Sequence, residues 1–264
     1  MIVVKMGGGG DIDPQPLLDE LAGLDAPWVL VHGGNAELSD LQRRLGEDPE
    51  FLTSPSGHVS RRTDERVVAN IQRTYRGRIN NDLVLRLQNL GCDAVGLSGV
   101  DGGIWRATRK PNLRTVVDGR KVLVRDDRTG TIHTVDTRLL RLLLDGGYRP
   151  VLTLPALADD GTAVNVDGDR AAAAVAAALG AETLVNLSDV PGLLRDVSDP
   201  TSLVAHIPAD RLAEYEPLAL GRFRKKLMAA GEALSSGVRR VVLATTRSGR
   251  PLQDALAGRG TVIE

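Results

Sequence analysis

The sequence predicts an α/β protein whose strands form a mainly parallel sheet. Short apolar runs, such as IVV at residues 2–4 and WVLV at residues 28–31, alternate with longer segments of helical periodicity. Several of these runs end directly in glycine-rich turns, at the carboxyl ends of strands where parallel α/β sheets collect their ligands. The chain has 264 residues, enough for one large domain or two closely joined lobes.

Composition excludes several classes of protein. The net charge is -1, so no global basic field indicates a nucleic-acid partner. Cys92 is the only cysteine, which rules out an intrachain disulfide and argues against a cysteine-based zinc site. We expect Cys92 in or beside a buried strand. No apolar run reaches transmembrane length, and the N-terminus enters its first strand without a signal peptide, so we expect a cytoplasmic protein.

The first strand end combines a lysine with a run of glycines. Lys5 follows the β-branched run at residues 2–4, and glycines occupy residues 7–10. Glycine lets backbone N–H groups approach an anion, and a neighbouring lysine adds a compact positive charge. The lysine precedes the glycines, so the stretch is neither a GxxxxGK[ST] loop nor a GxGxxG turn. An anion site and a solvated strand end are both compatible with it.

A second strand, WVLVH, ends in HGGN at residues 32–35. Between the two strands, Asp13 and Pro14 mark a helix start. Two glycine-rich strand ends within 35 residues predict one shared site. His32 is either a catalytic candidate or a residue that satisfies local backbone groups. A helix is predicted over residues 36–45.

Residues 51–65 are predicted to form a loop, and Thr63 is predicted to begin the next helix. Arg61 and Arg62 precede that helix, either as surface charge or with one of them binding a carboxylate through both guanidinium nitrogens. A further helix over residues 80–90 leads to a buried strand at 94–97 and a third glycine-containing strand end.

Residues 105–135 are predicted to be an antiparallel excursion, because VVDGRKVLV carries an Asp-Gly hairpin signal at residues 118–119. From residue 106 to residue 128 the excursion has eight basic and three acidic residues, a net charge of +5. Its basic residues are Arg106, Arg109, Lys110, Arg114, Arg120, Lys121, Arg125 and Arg128.

The remaining chain reads as a helix at 137–144, a strand at 150–157, an alanine-rich helix that Gly180 ends, and strands from residues 183 and 238. Asn165, Asp167 and Asp169 alternate just before the alanine-rich helix. They are either metal ligands, without the glutamate of an EF-hand loop, or turn and N-cap residues. A basic turn precedes the last long helix. It contains Arg222, Arg224, Lys225 and Lys226.

Seven short motifs stand out at the ends of these elements. They are KMGG at 5–8, HGGN at 32–35, SRRTD at 60–64, AVGLSGVDG at 94–102, NVDGD at 165–169, LSDVPG at 187–192 and GRFRKKLMAA at 221–230. Together the chain resembles the amino acid kinase family, in its acetylglutamate-kinase-like branch, from Ile2 to Ile263. The resemblance implies a three-layer αβα sandwich around a mainly parallel sheet. It also implies an acyl-substrate lobe over about residues 1–155 and an ATP-binding lobe over residues 156–264.

The resemblance implies phosphoryl transfer from ATP to a side-chain carboxylate, with Mg²⁺ held mainly by nucleotide oxygens. Lys5 and Lys226 match the lysines that neutralise the transferred group, and Asp169 matches the aspartate that orients both. No general base is needed, because a carboxylate nucleophile is already ionised at neutral pH. The other matched positions bind substrate or nucleotide. They are Gly8, Gly33, Gly34, Arg61 and Asn165 for the acyl substrate, and Ser188, Asp189 and Gly192 for the nucleotide.

Four features depart from the acetylglutamate kinase pattern. HGGN replaces HGGG, Asp167 replaces an asparagine, the loop TSPSGHVS before Arg61 is longer, and GRFRKK replaces a GGM pattern. All four resemble lysine-pathway kinases of 2-aminoadipate attached to the C-terminal glutamate of LysW, a small acidic carrier protein. A longer loop leaves room for a tethered substrate, and the basic segment at 106–128 complements an acidic partner. A solvated charged hairpin is the alternative interpretation of that segment.

The resemblance therefore implies an ATP-dependent kinase of carrier-bound 2-aminoadipate in lysine biosynthesis. One alternative is an acetylglutamate kinase, or a kinase of carrier-bound glutamate, in arginine biosynthesis. Another is a non-catalytic regulatory module that binds an amino acid, against which Lys5, Lys226 and Asp169 argue. The family also implies a homodimer.

Overall fold

The computed structural model describes residues 1–10, 12–54, 59–110, 112–117, 120–221 and 223–264, without the side chains of residues 114, 116–117 and 120–121. The strands are β1 (Ile2–Met6), β2 (Trp28–His32), β3 (Phe51–Thr53), β4 (Val59–Arg61), β5 (Ala94–Ser98), β6 (Trp105–Arg109), β7 (Leu113–Val117), β8 (Arg120–Val124), β9 (Gly130–Val135), β10 (Arg149–Thr153), β11 (Ala156–Ala158), β12 (Ala163–Val164), β13 (Thr183–Ser188), β14 (His206–Ile207), β15 (Arg240–Thr245) and β16 (Thr261–Ile263). The α-helices are α1 (Gln15–Ala22), α2 (Asn35–Arg44), α3 (Glu65–Ile71), α4 (Asn81–Asn89), α5 (Arg138–Asp145), α6 (Gly168–Leu179), α7 (Phe223–Ser235) and α8 (Pro251–Leu256).

An eight-stranded sheet forms the centre of the protein, in the order β14-β16-β15-β13-β1-β2-β10-β5. Neighbouring strands are parallel except β15 and β16, which pair antiparallel. The predicted mainly parallel sheet is confirmed. Because β1 lies between β2 and β13, the glycine run that follows it is placed beside both neighbouring strand ends.

The two faces of this sheet are covered by different helices. Val3 of β1 packs in a core cluster with residues of α6 and α7, whereas Val4, one position later, packs with residues of α1, α4 and α8. Successive side chains of a strand point to opposite faces, so a strand covered on both sides is apolar throughout. Burying one such side chain contributes about 1.5–3 kcal/mol. These layers confirm the αβα sandwich.

Residues 51–65 correct one prediction, because they contain a short hairpin and not only a loop. β3 and β4 pair antiparallel with Phe51 opposite Arg61. Each strand has three residues, too few for periodicity to reveal. The helix that follows begins at Glu65, and its N-cap is Asp64, whose side chain accepts a hydrogen bond from the Val67 N–H. Residues 55–58 of the predicted long loop lie outside the described residues.

One long helical segment replaces the two separate helices predicted between residues 63 and 90. A π-helical stretch, Gln72–Asn80, joins α3 directly to α4. Its wider turns bring Tyr75 and Asn80 to buried positions on the side of β2 and β10. This segment therefore contributes side chains to the second glycine-rich strand end.

The antiparallel excursion is confirmed in outline. β6 and β9 pair antiparallel in a second sheet with the order β12-β11-β6-β9, and β7 and β8 form a separate hairpin. The predicted turn at 118–119 lies outside the described residues. The single strand predicted at 150–157 is two strands, β10 and β11, which belong to different sheets and are interrupted at Pro155. Cys92 is buried two residues before β5.

Some elements have no counterpart in the sequence prediction. They are the short strands β12 and β14, the six-residue helix α8 and the 3₁₀ segment Ala209–Leu218. Each is too short or too irregular to give a periodic pattern. Among the helices that are described, none combines the length and apolar character needed to cross a membrane.

Candidate active site

The first two glycine-rich strand ends lie in direct backbone contact. A Cβ on Gly8 would lie 2.3 Å from the Gly34 nitrogen and 2.7 Å from the Gly33 carbonyl carbon. The Ala36 N–H donates to the Gly8 carbonyl at 3.1 Å, and the Gly33 N–H donates to the Met6 carbonyl at 3.2 Å. The two strand ends that are predicted to share a site therefore lie together, and only glycine at position 8 permits this contact.

Lys5, Lys226 and Asp169 form one buried charge cluster at the same edge of the sheet. The Lys5 Nζ lies 2.7 Å from Asp169 Oδ1, and the Lys226 Nζ lies 3.3 Å from both Asp169 oxygens. All three side chains are at most 12% exposed. The structure thus brings together the three residues predicted to act in phosphoryl transfer.

The start of α6 determines where Asp169 lies. The Asp167 side chain accepts hydrogen bonds from the N–H groups of Asp169 and Arg170, at 3.0 and 3.1 Å, and so caps the helix. Over the described ranges, no group of three or more metal-binding side chains occurs. The N-cap interpretation of Asp167 is confirmed. An ion pair between Arg170 and Glu232, at 2.8 Å, links α6 to the Lys226 helix, α7.

The pKa values of Asp169 and Lys226 are shifted by burial and by the neighbouring charges of the cluster. Burial opposes ionisation of Asp169, but the charges of Lys5 and Lys226 outweigh it and hold the pKa of Asp169 well below its usual range. Burial and the nearby Lys5 charge lower the pKa of Lys226 to about 8, although Asp169 opposes this change. At neutral pH the cluster therefore carries one carboxylate and an excess of positive charge that suits an anion.

His32 is a structural residue at the end of β2. It is fully buried, its Nδ1 lies 3.0 Å from the Gly33 carbonyl, and its Nε2 lies 3.0 Å from the Asn80 Nδ2. These partners assign the proton to Nδ1, with Nε2 accepting from the amide. Burial lowers the pKa of His32 to about 4. The second interpretation of His32, that it satisfies local backbone groups, fits this geometry.

The depressed pKa of His32 predicts a pH-dependent stability. Between about pH 6.5 and pH 4 the unfolded chain binds a proton at His32 and the folded chain does not, so stability falls as pH falls. The full difference corresponds to about 3 kcal/mol in the free energy of unfolding. Urea unfolding at pH 7 and pH 4.5 should show a smaller acid loss for His32→Gln than for the wild type. Substitution of the exposed His206 by Gln is the control, and an equal loss in His32→Gln would contradict the assignment.

Arg61 is buried and held against the start of α2. Its guanidinium donates to Gln42 Oε1 at 2.6 Å, to Ser39 Oγ at 2.7 Å and to the Asn35 carbonyl at 3.2 Å. The Tyr75 hydroxyl donates to Asn35 Oδ1 at 3.1 Å. Arg61 is therefore fixed beside the HGGN turn. Sequence reasoning missed these partners, although polar residues at 35, 39 and 42 share one helix face.

Arg62 has a different environment from its neighbour. It pairs with Glu50 at 2.9 Å and Asp126 at 3.2 Å, and its side chain is 37% exposed. Arg62 is therefore the surface charge of the arginine pair, and Arg61 is the residue that faces inward.

Asn165 is linked to the Arg61 strand through Thr63. The Asn165 Nδ2 donates to Thr63 Oγ1 at 3.1 Å, and the Thr63 hydroxyl donates to the Arg61 carbonyl at 3.0 Å. The predicted acyl-substrate residues therefore belong to two connected groups: the glycine turns, and Arg61 with Asn165.

The turn after β13 lies beside the first glycine run, because the Gly7 N–H donates to the Leu187 carbonyl at 2.9 Å. Ser188 is buried at the end of this strand, and Asp189 is exposed. Gly192 has a φ of 153°, and a Cβ there would lie 2.6 Å from Thr261 Oγ1. The structure requires glycine at this position, and it leaves Asp189 open to solvent.

The basic segment at 106–128 is partly neutralised by acidic residues outside it. Arg109 lies 3.6 Å from Asp160, and Arg128 lies 3.1 Å from Glu65. Lys110 and Arg125 are exposed and have no ion pair within the described part of the chain. The side chains of Arg114, Arg120 and Lys121, and all of Asp118 and Arg222, lie outside the described residues.

Asn186 is a polar contact of the charge cluster that sequence reasoning missed. Its Nδ2 donates to Asp169 Oδ1 at 3.0 Å, and its Oδ1 accepts from the Lys226 Nζ at 3.3 Å. A signal is present, since an asparagine interrupts the otherwise apolar run LVNL, residues 184–187, of a buried strand.

A model of the amino acid kinase family matches residues 1–245. This chain belongs to the amino acid kinase family. Two similar proteins are named LysW-aminoadipate kinase. The one from Deinococcus radiodurans is 48% identical, covering 100% of this chain and 91% of the relative, and the one from Thermus thermophilus is 45% identical, covering 100% of both. An acetylglutamate kinase from Methanopyrus kandleri is 36% identical, also covering 100% of both.

Solved structures share the fold of this family member. N-acetylglutamate synthase from Neisseria gonorrhoeae, complexed with coenzyme A and N-acetylglutamate, has a TM-score of 0.79 and 26% identity, covering 99% of this chain and 58% of that one. Carbamate kinase from Giardia lamblia, bound to AMP-PNP, has a TM-score of 0.69 and 15% identity, covering 99% of this chain and 97% of that one. At that identity the carbamate kinase supports the fold alone.

Proposed function

We propose that this amino acid kinase phosphorylates the side-chain carboxylate of 2-aminoadipate carried on a LysW-type protein, using ATP, in lysine biosynthesis. The observation that carries the proposal is the buried cluster of Lys5, Asp169 and Lys226 beside the paired glycine turns. Two relatives at 45% and 48% identity over the whole chain bear the name LysW-aminoadipate kinase.

The reaction needs charge neutralisation and alignment more than acid–base chemistry. One carboxylate oxygen of the substrate forms a bond to the γ-phosphorus of ATP, the bond to the β,γ-bridging oxygen breaks, and ADP leaves with that electron pair. The products are an acyl phosphate and ADP. We assign Lys5 and Lys226 to the charge that develops on the transferred group and on the leaving oxygen. Asp169 holds both ammonium groups in place.

The strand-end turns fit a nucleotide and its metal ion. Gly8 packs so closely on Gly33 and Gly34 that it has no room for a Cβ, and Ser188, Asp189 and Gly192 continue this edge as the proposed nucleotide turn. Both Asp169 oxygens already accept from lysines, so Asp169 is a poor Mg²⁺ ligand. Mg²⁺ would therefore be held mainly by nucleotide oxygens, where it neutralises phosphate charge.

We assign the acyl substrate to the surface formed by Gly8, Gly33, Gly34, Arg61 and Asn165. Backbone N–H groups of the glycine turns would face the reacting carboxylate, and Arg61 with Asn165 would hold the second carboxylate of aminoadipate. Arg61 is suited to this role because α2 already fixes its guanidinium, so binding loses less side-chain entropy.

Substitution of Arg61 by lysine tests the acyl site. Lysine keeps the positive charge but lacks the planar guanidinium group. That group donates to Gln42 and Ser39, and its geometry suits paired hydrogen bonds to a carboxylate. We expect KM for the acyl substrate to rise by ~10-fold or more and KM for ATP to change little, by steady-state kinetics. Arg62→Lys is the matched control, since Arg62 is a surface ion-pair residue. Equal losses for both substrates would remove Arg61 from the acyl site.

The exposed charges of the basic segment are proposed to steer the acidic carrier. Lys110→Glu or Arg125→Glu should lower kcat/KM for the carrier-bound substrate, and the effect should shrink as ionic strength rises from ~0.01 to ~0.15 M, where the Debye length falls from ~30 to ~8 Å. Arg239→Glu is the control, because Arg239 is exposed just before β15, at the opposite end of the parallel strands. A loss of the same size in the control would exclude steering by this segment.

The rate of ADP formation with each substrate distinguishes the proposed function from its alternatives. The proposal requires rapid turnover with aminoadipate on the carrier and slow turnover with free aminoadipate or acetylglutamate. Efficient turnover of free acetylglutamate would favour the arginine-pathway alternative, which the 36% identical acetylglutamate kinase makes worth testing. Equal rates for glutamate and aminoadipate on the carrier would indicate a dual enzyme. No turnover with any of these substrates would favour a regulatory module.

We further propose a homodimer and a division into an acyl-substrate lobe over residues 1–155 and a nucleotide lobe over residues 156–264. In the part of the chain that is described, β5 pairs with β10 alone, so one edge of the eight-stranded sheet is available for a second copy. Light scattering during gel filtration measures the oligomeric state, and a monomer at micromolar concentration would contradict the proposal.

A further inference from the structure

Asn186 is a buried polar side chain in the central sheet. It lies in β13, is 3% exposed, and has Leu184 and Leu243 as buried neighbours on the same face. Burying an amide without partners costs about 1–3 kcal/mol on mutational scales. A buried amide in the sheet therefore needs hydrogen-bond partners, and Asp169 and Lys226 supply them.

The strand register brings Asn186 to the charge cluster. Asn186 is the partner of Lys5 in the parallel pairing of β1 with β13, so both side chains point to the face that α6 and α7 cover. The amide donates to Asp169 Oδ1 and accepts from Lys226 Nζ. Only this orientation of the amide places a donor toward the carboxylate and an acceptor toward the ammonium.

The two hydrogen bonds of Asn186 add to the ion pairs of the charge cluster. Asp169 Oδ1 then accepts from Lys5 and from Asn186, and Lys226 contacts both Asp169 oxygens and Asn186. The Lys5 contact, at 2.7 Å, is shorter than the Lys226 contacts, at 3.3 Å. Lys226 is thus the more loosely held cation, and Asn186 supplies a contact from outside the carboxylate.

We propose that Asn186 is a positioning residue for phosphoryl transfer, which fixes the carboxylate plane of Asp169 and holds Lys226 toward the phosphoryl group. This inference rests on the proposed function. Lys226 has to turn part of its ammonium group to the transferred phosphate, and a neutral acceptor such as Asn186 keeps it placed without neutralising its charge. An apolar residue at 186 would remove the amide donor to Asp169 Oδ1, and Lys226 would lose its contact outside the carboxylate.

Asn186→Leu tests this role with the same number of side-chain heavy atoms and no hydrogen-bonding group. We expect kcat to fall ~10- to 100-fold with KM for ATP changed less than ~threefold, because the loss is one of alignment. Asn186→Asp should also lower kcat, since it removes the N–H donor to Asp169. Leu243→Val is the packing control on the adjacent strand. It should lower the midpoint of thermal unfolding and leave kcat within about twofold. Normal kcat in a folded Asn186→Leu protein would overturn the proposal.

A second readout does not depend on the substrate. The pKa of Lys226, measured by NMR titration, should be lower in Asn186→Leu, which loses a hydrogen-bond acceptor for the ammonium group. It should be higher in Asn186→Asp, which gains a negative charge. It should not move in Leu243→Val. An unmoved titration in both Asn186 variants would overturn the proposal. If wild-type enzyme fails on carrier-bound aminoadipate, the proposed function fails, while this titration still tests Asn186.

Discussion

Alanine at either Lys5 or Lys226 is expected to lower kcat by ~10²–10³-fold or more while the protein stays folded. In the proposed mechanism each lysine faces a group that becomes more negative during transfer, so the loss should appear in kcat more than in KM. Stopped assays of ADP formation under saturating substrates measure it. The exposed Arg239→Ala is a control for loss of a surface cation away from the cluster.

The charge of Lys226 also predicts a pH limit. Because burial and Lys5 lower the pKa of Lys226 to about 8, the free enzyme loses this charge above that pH. The pH profile of kcat/KM should therefore fall on its alkaline side near pH 8, since this ratio reports groups of the free enzyme. Lys226→Arg should lack that limb. Near-wild-type kcat in either alanine variant would contradict the assigned lysine roles.

Asp169→Asn is expected to have an effect as large as loss of a lysine, ~10²–10³-fold in kcat. Asparagine cannot balance two buried ammonium groups, which then repel each other and move apart. Loss of the carboxylate also removes the interaction that keeps Lys226 charged, so its pKa should fall further. Activity of Asp169→Asn should therefore rise relative to wild type as pH is lowered from 8 toward 6.

A control variant distinguishes loss of the Asp169 carboxylate from a general disturbance of the start of α6. Asp167→Asn is the matched control, because asparagine is also a good N-cap and the start of α6 is preserved. It should retain most of kcat. If Asp169→Asn changed only the KM for ATP, Asp169 would not be the residue that organises the two lysines.

The elements that determine the site were predictable because each has a strong local signal. β1 and β2 are apolar runs that stop at glycines, so the sequence alone predicts that their ends lie together. Lys5 and Asp169 lie where such ends and a helix start are expected. Their contact, however, depends on the packing of α6 against β1, which is a tertiary property.

The missed features have a common physical cause, since they depend on contacts between residues far apart in sequence. The role inferred for the Asn186 amide depends on its contacts with Asp169 and Lys226. Arg61 is fixed by a helix more than fifteen residues earlier. The short hairpin of β3 and β4 has too few residues for periodicity. The sequence shows the charge excess of the basic segment but not that Arg109 and Arg128 pair with acids elsewhere in the chain.

Trapping of the acyl phosphate tests the central claim most directly. Purified enzyme is incubated with ATP, Mg²⁺ and a LysW-type carrier bearing 2-aminoadipate, then quenched with hydroxylamine, which converts an acyl phosphate to a hydroxamate. We predict, by mass spectrometry of the intact carrier, one hydroxamate per aminoadipate, formed with stoichiometric ADP and absent with Lys226→Ala enzyme. Carrier that remains unmodified, while free acetylglutamate is converted to its hydroxamate, would contradict the account.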